Sequence, residues 1–348
     1  MSALLEMTDM SLKAGDFRLG PLSLSLDSGD YLVLLGPSGC GKTTLLKAVA
    51  GHCPIDSGLL RMEGDDLALR PPHKRRLGYV AQAVDLFPHM TVAGNIAFGL
   101  AYLKLPRRQK DERLHRIAEM LALSELLERT PGTLSGGESK RVALARSLVV
   151  GPRVLLLDEP LGMLDPNSRA DMLETLRTIH DELGTAAIHV THDREEAWAL
   201  GGKCAVMRDG RIEQVGPVSE LFRQPRTRFV AEFLGGANVL PARFEERDGK
   251  WSAVLDWARF ELAGPVPFPS GYVQIRPEGL ALDPHEGAQT IRCAIVSVAD
   301  RGVYHELRVR APGGHVLRAH LVGGRCAGLR PGDEVELRLT ELPHPIKG

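Results

Sequence analysis

Three shortages narrow the field before any motif is read. The 348 residues contain no apolar run of 18, and the N-terminus lacks a basic stretch followed by an apolar core. Neither a membrane span nor a secretory leader is therefore expected. Cys40, Cys53, Cys204, Cys293 and Cys326 include no close pair of the kind that ligates zinc or staples a small secreted fold. Thiols in a reduced compartment are the simpler reading. Net charge is nearly absent as well, with 43 basic against 44 acidic residues, so there is no overall field to draw nucleic acid or an anionic membrane. The expectation is a cytosolic chain of two domains that reaches a membrane only through another protein.

Apolar patterning then divides the chain. Residues 17–27 alternate as a strand with one wet face does, whereas Tyr31-Leu32-Val33-Leu34-Leu35 is a continuous apolar run suited to a strand buried on both faces. Residues 77–81, 154–157 and 186–190 read as further inner strands, and helical spacing appears over 139–150 and over 168–183, where Leu173, Leu176 and Ile179 recur. Strand and helix in alternation predict an α/β core. A stretch of helical pattern at about 92–128 is read as a helical insertion displaced from the sheet. After Gly235-Gly236 the texture becomes short alternating pieces broken by Gly, Pro and Asp, at 251–255, 271–275, 291–298, 304–309, 316–319 and 335–339. Residues 1–235 are accordingly assigned to the α/β domain, and 236–348 to a small all-β domain of barrel type.

Gly36-Pro37-Ser38-Gly39-Cys40-Gly41-Lys42-Thr43 fulfils the phosphate-loop pattern between a predicted strand and a predicted helix that begins near Thr44. Glycines allow the turn that aims backbone N–H groups at phosphate oxygens, and the helix start favours negative charge. Gly36, Ser38, Gly39, Cys40, Gly41, Lys42, Thr43 and Thr44 are the expected cradle, with Lys42 reaching the outer phosphates and Thr43 offering a hydroxyl to Mg²⁺. Asp158 ends an inner strand, where open α/β sheets bind ligands. It is read as a Mg²⁺ ligand, and Glu159 as a group placed to polarise water. Gln82 and His192 also follow predicted strands; periodicity alone leaves each either at this edge or on the surface. His189, inside an apolar run, reads as a core imidazole.

Together with Leu134-Ser135-Gly136-Gly137-Glu138 and Asp165, these residues resemble the ATP-binding cassette ATPases of membrane transporters, in that family's order, across most of residues 30–195. The resemblance implies a P-loop NTPase core with a helical insertion, ATP and Mg²⁺ as ligands, and a homodimer in which each phosphate loop faces the other subunit's pentapeptide. It assigns Ser135 and Gly137 to the γ-phosphate of the partner's ATP with Gly136 beside them as a nucleotide-binding residue, Glu159 to general base, His192 to the γ-phosphate, and Gln82 to Mg²⁺ and the attacking water. Asp165 would join the dimer seam. Phe17 either stacks on adenine or belongs to the core. Two departures stand out: Gly162-Met163 where the family has Ser-Ala, and Ser139 where many relatives have Gln.

Asp85-Leu86-Phe87-Pro88-His89-Met90-Thr91-Val92 is similar to importer ATPases of the maltose, sulfate, polyamine, iron and molybdate type. That likeness implies two transmembrane permease subunits as partners, contacted through Leu86, Phe87 and Met90 unless these pack on the chain's own helices. It also implies an indirect link to a periplasmic or extracellular substrate-binding protein, and a peripheral position on the cytoplasmic face of the membrane. Gly236-Ala237-Asn238-Val239-Leu240, Ile275-Arg276-Pro277-Glu278 and Leu329-Arg330-Pro331-Gly332-Asp333 resemble landmarks of the OB-like regulatory domains of such importers. Arg276 and Glu278 have the alternative of ordering a turn locally. The runs at 134–148 and 229–240 look most like molybdate or tungstate importers, with sulfate, ferric iron, polyamine and phosphonate open. Two competing classes are a soluble nucleic-acid-associated cassette ATPase, disfavoured by the neutral charge, and a regulatory protein with a degenerate ATP site, disfavoured by intact Lys42, Asp158, Glu159 and His192.

Overall fold

Strands of two kinds form the N-terminal part. β1 (Leu5–Ala14) and β2 (Phe17–Leu26) pair antiparallel from Leu5 opposite Leu26 to Ala14 opposite Phe17, and β2 buries Leu22, Leu24 and Leu26 on one face. β3 (Tyr31–Leu35) is buried at every position and leads through residues 36–41 into α1 (Lys42–Ala50). β4 (Ser57–Met62) and β5 (Asp65–Asp66) complete an antiparallel sheet of order β2-β1-β4-β5. The structure, a computed structural model, describes residues 3–236, 238–282, 289–322, 326 and 328–348.

β6 (Leu77–Val80) precedes three helices, α2 (Val92–Ala97), α3 (Arg107–Met120) and α4 (Gly136–Leu148). The stretch expected to be a helical insertion carries α2, α3 and two short 3₁₀ turns at Phe98–Tyr102 and Ser124–Leu126. Then come β7 (Val154–Asp158), α5 (Pro166–Leu183), β8 (Ala186–Thr191), α6 (Arg194–Leu200), β9 (Lys203–Arg208) and β10 (Arg211–Pro217). The second sheet has order β10-β9-β3-β8-β7-β6, parallel except for β10. Its inner strands β3, β7 and β8 are buried throughout, as a parallel sheet covered on both faces requires. Leu12 and Leu19 from the first sheet, Leu45 and Leu46 from α1, and Leu156 and Ile188 from the second share one core. The parallel strands end along a common edge, which gathers the segments after β3, β6, β7 and β8.

Contacts divide the chain into two compact units, Met1–Val218 and Ser219–Gly348. The boundary expected at 235/236 falls inside the second unit, after α7 (Val218–Arg223) and α8 (Arg228–Gly235). α8 packs with the strands of this unit, and its Arg228 guanidinium lies 5.0 Å over the Tyr272 ring. The rest of this unit is antiparallel. β11 (Asn238–Arg247), β12 (Lys250–Val254), β13 (Arg259–Glu261), β14 (Ser270–Ile275), β15 (Leu280–Ala281), β16 (Thr290–Asp300), β17 (His305–Arg310), β18 (Val316–Leu321), β19 (Glu334–Leu339) and β20 (His344–Lys347) form two five-stranded sheets, β13-β12-β11-β14-β20 and β15-β19-β16-β17-β18. Leu240, Phe260, Val273, Leu307, Leu317 and Leu337 close a single core between them, giving the small OB-like domain. Asn238 links the sheets, its amide accepting from Arg318 N at 2.7 Å and donating to Arg318 O at 2.9 Å. Ala237, in the same landmark run, lies outside the described residues. Arg276 lies 3.7 Å from Glu278, as a locally ordered turn would have it, and also pairs with Glu341, 65 positions further along the chain.

Candidate active site

The phosphate loop owes its shape to glycine and to the strands beneath it. Gly41 has φ 103° and caps α1 without any side-chain bond, so the first N–H groups of the helix are left for an anion. A Cβ on Gly41 would stand 2.7 Å from the Phe17 ring, which shows how closely β2 supports the loop. Cys40 is buried beneath it: its N–H donates to Pro37 O at 3.3 Å, and its carbonyl accepts from Gly210 N at 3.0 Å. Burial pushes the Cys40 thiol up. Lys42 is also buried and donates to the carbonyls of Gly36 at 2.7 Å and Pro37 at 3.0 Å.

Above the loop lies a cleft of about 520 Å³ lined by Phe17, Ser38, Gly39, Gly41, Lys42, Thr43, Thr44, Gln82, Glu159 and His192, with Ala14 in addition. Ten residues singled out in the sequence thus meet in one cavity, although their chain positions run from 17 to 192. Asp158, buried at the end of β7, accepts from the Thr43 hydroxyl at 2.8 Å and from Tyr79 at 3.2 Å. Burial first and the Asp158 charge second push the Tyr79 phenol up, which keeps it a donor. Glu159 sits between two partners: Gln82 Nε2 donates to Oε2 at 3.1 Å, and His192 Nδ1 lies 3.4 Å from Oε1. His189 stays in the core, 2.9 Å from the Tyr31 hydroxyl and 3.2 Å from Glu196.

Ser135, Gly136, Gly137 and Asp165 do not line this cleft. Ser135 caps α4 in a reciprocal box, Oγ accepting from Glu138 N at 3.2 Å while Ser135 N donates to Glu138 Oε2 at 2.6 Å. Asp165 caps α5 by accepting from Asn167 N and Ser168 N, both at 3.1 Å. Sequence reasoning passed over Tyr79 and Lys140. Tyr79 had a signal, an aromatic hydroxyl in the strand leading to Gln82. Lys140 had none, since a lysine inside a helix reads as a solvated charge; here it donates to Gly162 O.

Thr43 and Asp158 together offer hard oxygens of the kind Mg²⁺ takes. Among the described residues no three His, Cys, Asp or Glu side chains converge as a ligand set. Among the same residues no helix is long and apolar enough to cross a membrane.

The family model described as ABC transporter matches residues 19–162, and the one described as TOBE domain matches residues 273–341. The chain is 38% identical to the molybdate/tungstate import ATP-binding protein of Pyrococcus horikoshii, covering 95% of this chain and 96% of that one. It is 42% identical to a sulfate/thiosulfate import ATP-binding protein of Chromobacterium violaceum, covering 87% and 83% respectively. Among solved structures, cbiO1 from Clostridium perfringens, part of the ABC transporter complex cbiONQ, aligns with a TM-score of 0.59 at 28% identity, covering 64% of this chain and 91% of that one. A phosphate loop under a parallel sheet, the ordered motifs around it and likeness over nearly the whole length lead to one conclusion: this chain belongs to the ABC transporter ATPases, which hydrolyse ATP, and carries a TOBE domain after its ATPase unit.

Proposed function

We propose that this ATPase works as a homodimer that drives import through two transmembrane permease subunits at the cytoplasmic face of the membrane, with molybdate or tungstate as cargo. The carrying observation is the Glu159 carboxylate, held between Gln82 at 3.1 Å and His192 at 3.4 Å on the rim of the phosphate-loop cleft. A carboxylate so oriented accepts a proton from an attacking water, and its two neighbours fix the direction in which it does so. The N-terminus of α1 and Lys42 bind the phosphates of ATP, and Phe17 supplies an aromatic face for adenine. Thr43, Asp158 and Gln82 would hold Mg²⁺, which when bound neutralises phosphate charge.

Gly136 favours the dimer reading. Its φ is not positive, and a Cβ there would meet nothing within 4 Å, so nothing among the described residues requires glycine. A closely approaching phosphate on a partner subunit would. Ser135 and the N–H groups at the start of α4 supply the matching anion receptor, and Asp165 would lie at the same seam.

The permease contact is assigned to residues 85–92 and the helices that follow. Buried Asn95 clasps this segment by bonding both Phe87 N at 2.8 Å and Phe87 O at 3.1 Å. The Phe87 ring then lies 4.5 Å from Phe98, which continues to Tyr102 at 6.1 Å, and Tyr102 is 79% exposed. Leu86, Phe87 and Met90 are half-buried beside this aromatic row, a surface suited to an apolar partner helix. The substrate-binding protein acts through the permease, and the OB-like domain is the regulatory element.

Glu159→Gln tests the base: ATP binding should persist while turnover falls by at least about a hundredfold. Turnover near the parent rate would remove Glu159 from the role. Cargo is tested by ATP turnover of the assembled transporter with molybdate or tungstate against sulfate, ferric iron, polyamines and phosphonate; stimulation by sulfate alone would replace the oxyanion proposed.

A further inference from the structure

The turn from β7 into α5 contains two non-glycine residues with left-handed backbone, Glu159 at φ 46° and Met163 at φ 63°. Each such residue costs roughly 1 kcal/mol or more, and Met163, 96% exposed, buries little to offset it. Three backbone bonds shape the turn: Glu159 N donates to Val190 O at 3.0 Å, Gly162 N to Glu159 O at 3.0 Å, and Leu164 N to Leu161 O at 3.4 Å. Among the described residues, the side-chain bond to the backbone of 160–164 comes from another element: the Lys140 ammonium of α4 donates to Gly162 O.

The Lys140 side chain is built into that place. It lines a small apolar cavity with Val80, Leu144, Leu157, Pro160 and Met172, as the methylene stem of a lysine does when its head reaches a polar exit. A partly buried ammonium is best placed where it finds an acceptor. The Gly162 carbonyl is the acceptor, and of the nearby charges Glu196 and Glu159 favour the ammonium while Arg169 opposes it. At Gly162 itself a Cβ would stand 3.3 Å from Glu159 O, so the residue whose carbonyl Lys140 holds lies directly against the Glu159 backbone.

We propose that Lys140 is a positioning residue for ATP hydrolysis: by holding the Gly162 carbonyl it fixes the turn that starts at Glu159 and thereby aims the Glu159 carboxylate. This rests on the assignment of Glu159 as base. Lys140→Met keeps the apolar stem and removes only the donor. In steady-state turnover of the full-length chain, Lys140→Met should lower kcat about tenfold with KM for ATP within about twofold, and Lys140→Arg should recover most of the loss. The thermal midpoint, measured alongside, should stay that of the parent, so that misfolding is distinguished from misdirection. Placed on Glu159→Gln, Lys140→Met should cause no further loss, because the group it aims is gone. Parent-like kcat in Lys140→Met, a rise in KM in place of the fall in kcat, an arginine variant no better than methionine, or a full additional loss on Glu159→Gln would each overturn the inference. Failure of the base assignment itself would show separately, as parent-like turnover in Glu159→Gln alone.

Discussion

Gly41 is the residue on which the nucleotide cleft most depends for its shape. Its φ of 103° and the Phe17 ring 2.7 Å from an ideal Cβ mean that alanine there meets both backbone strain and a clash. Gly41→Ala should therefore weaken ATP binding at least about tenfold, or roughly 1.4 kcal/mol, in an equilibrium titration with a fluorescent nucleotide; unchanged affinity would mean that the loop relaxes elsewhere. At this scale the sequence was informative where chemistry coincides with strand ends. Gln82, Asp158, Glu159 and His192 each end or follow an apolar run, and parallel strands deliver such positions to one edge; for Gln82 and His192 the pattern alone leaves a surface position open. Tyr79 and Lys140 escaped because their partners are distant in sequence and their residue types have ordinary explanations, a core aromatic and a surface charge. Cys40 is expected in the cradle, yet its N–H and carbonyl are engaged by Pro37 and Gly210 and its side chain belongs to the core.

Caps explain most of what changed at the level of elements. The helix expected from Ser168 begins at Pro166 because Asp165 accepts from Asn167 N and Ser168 N, and the one expected from Ser139 begins at Gly136 because Ser135 and Glu138 close a capping box. Periodicity marks the buried face of a helix, whereas a cap fixes its first residue. The face itself needed adjustment in α5: Met172, Leu176 and Ile179 are buried and Leu173 only half so, since spacings of four and three follow the helical stripe better than a strict three. The capping box also makes a pH prediction. Ser135 hydrogen bonds, from backbone and then side chain, hold the Glu138 carboxyl below its ordinary 4.5. A carboxyl depressed on folding contributes stability above its unfolded value, and that contribution is lost as pH falls through the lower folded value. The difference in thermal midpoint between the parent and Glu138→Ala should therefore be present near neutrality and shrink below about pH 4; a difference constant across that range would remove the carboxylate from the cap. Ser135→Ala should cost about 1 kcal/mol in chemical unfolding.

For the whole molecule, sequence texture separated an α/β part from a β part but placed the division at the change of pattern. The contact boundary lies earlier, at 218/219, because α7 and α8 are helical in pattern yet belong to the β unit. Helix packing of that kind is set by tertiary partners such as Tyr272, which no local window contains. The assembly has its own test in Gly136. Alanine is the better helix former and its Cβ would meet nothing among the described residues, so Gly136→Ala should keep or raise the thermal midpoint of the nucleotide-free protein. The same variant should lose at least about tenfold in ATP turnover if a partner's phosphate must approach that backbone. Equal activity in parent and variant would separate this glycine from the dimer. Light scattering of Glu159→Gln supplies the complement, with a doubled mass expected in ATP and not in its absence.

The buried thiol under the phosphate loop makes the loop's opening measurable by reaction rate. Cys40 is 3% exposed and its thiol is pushed up by burial, while Cys204 and Cys293, also buried, are pushed up to about 12. Alkylation needs an accessible thiolate, so the rate at which Cys40 is labelled should report any opening of the structure that exposes it. In a Cys53→Ser background, which removes the half-exposed competitor, saturating ATP should slow the labelling of Cys40 and leave that of Cys204 unchanged. A single cysteine would then give a clock for a loop whose movements are otherwise silent.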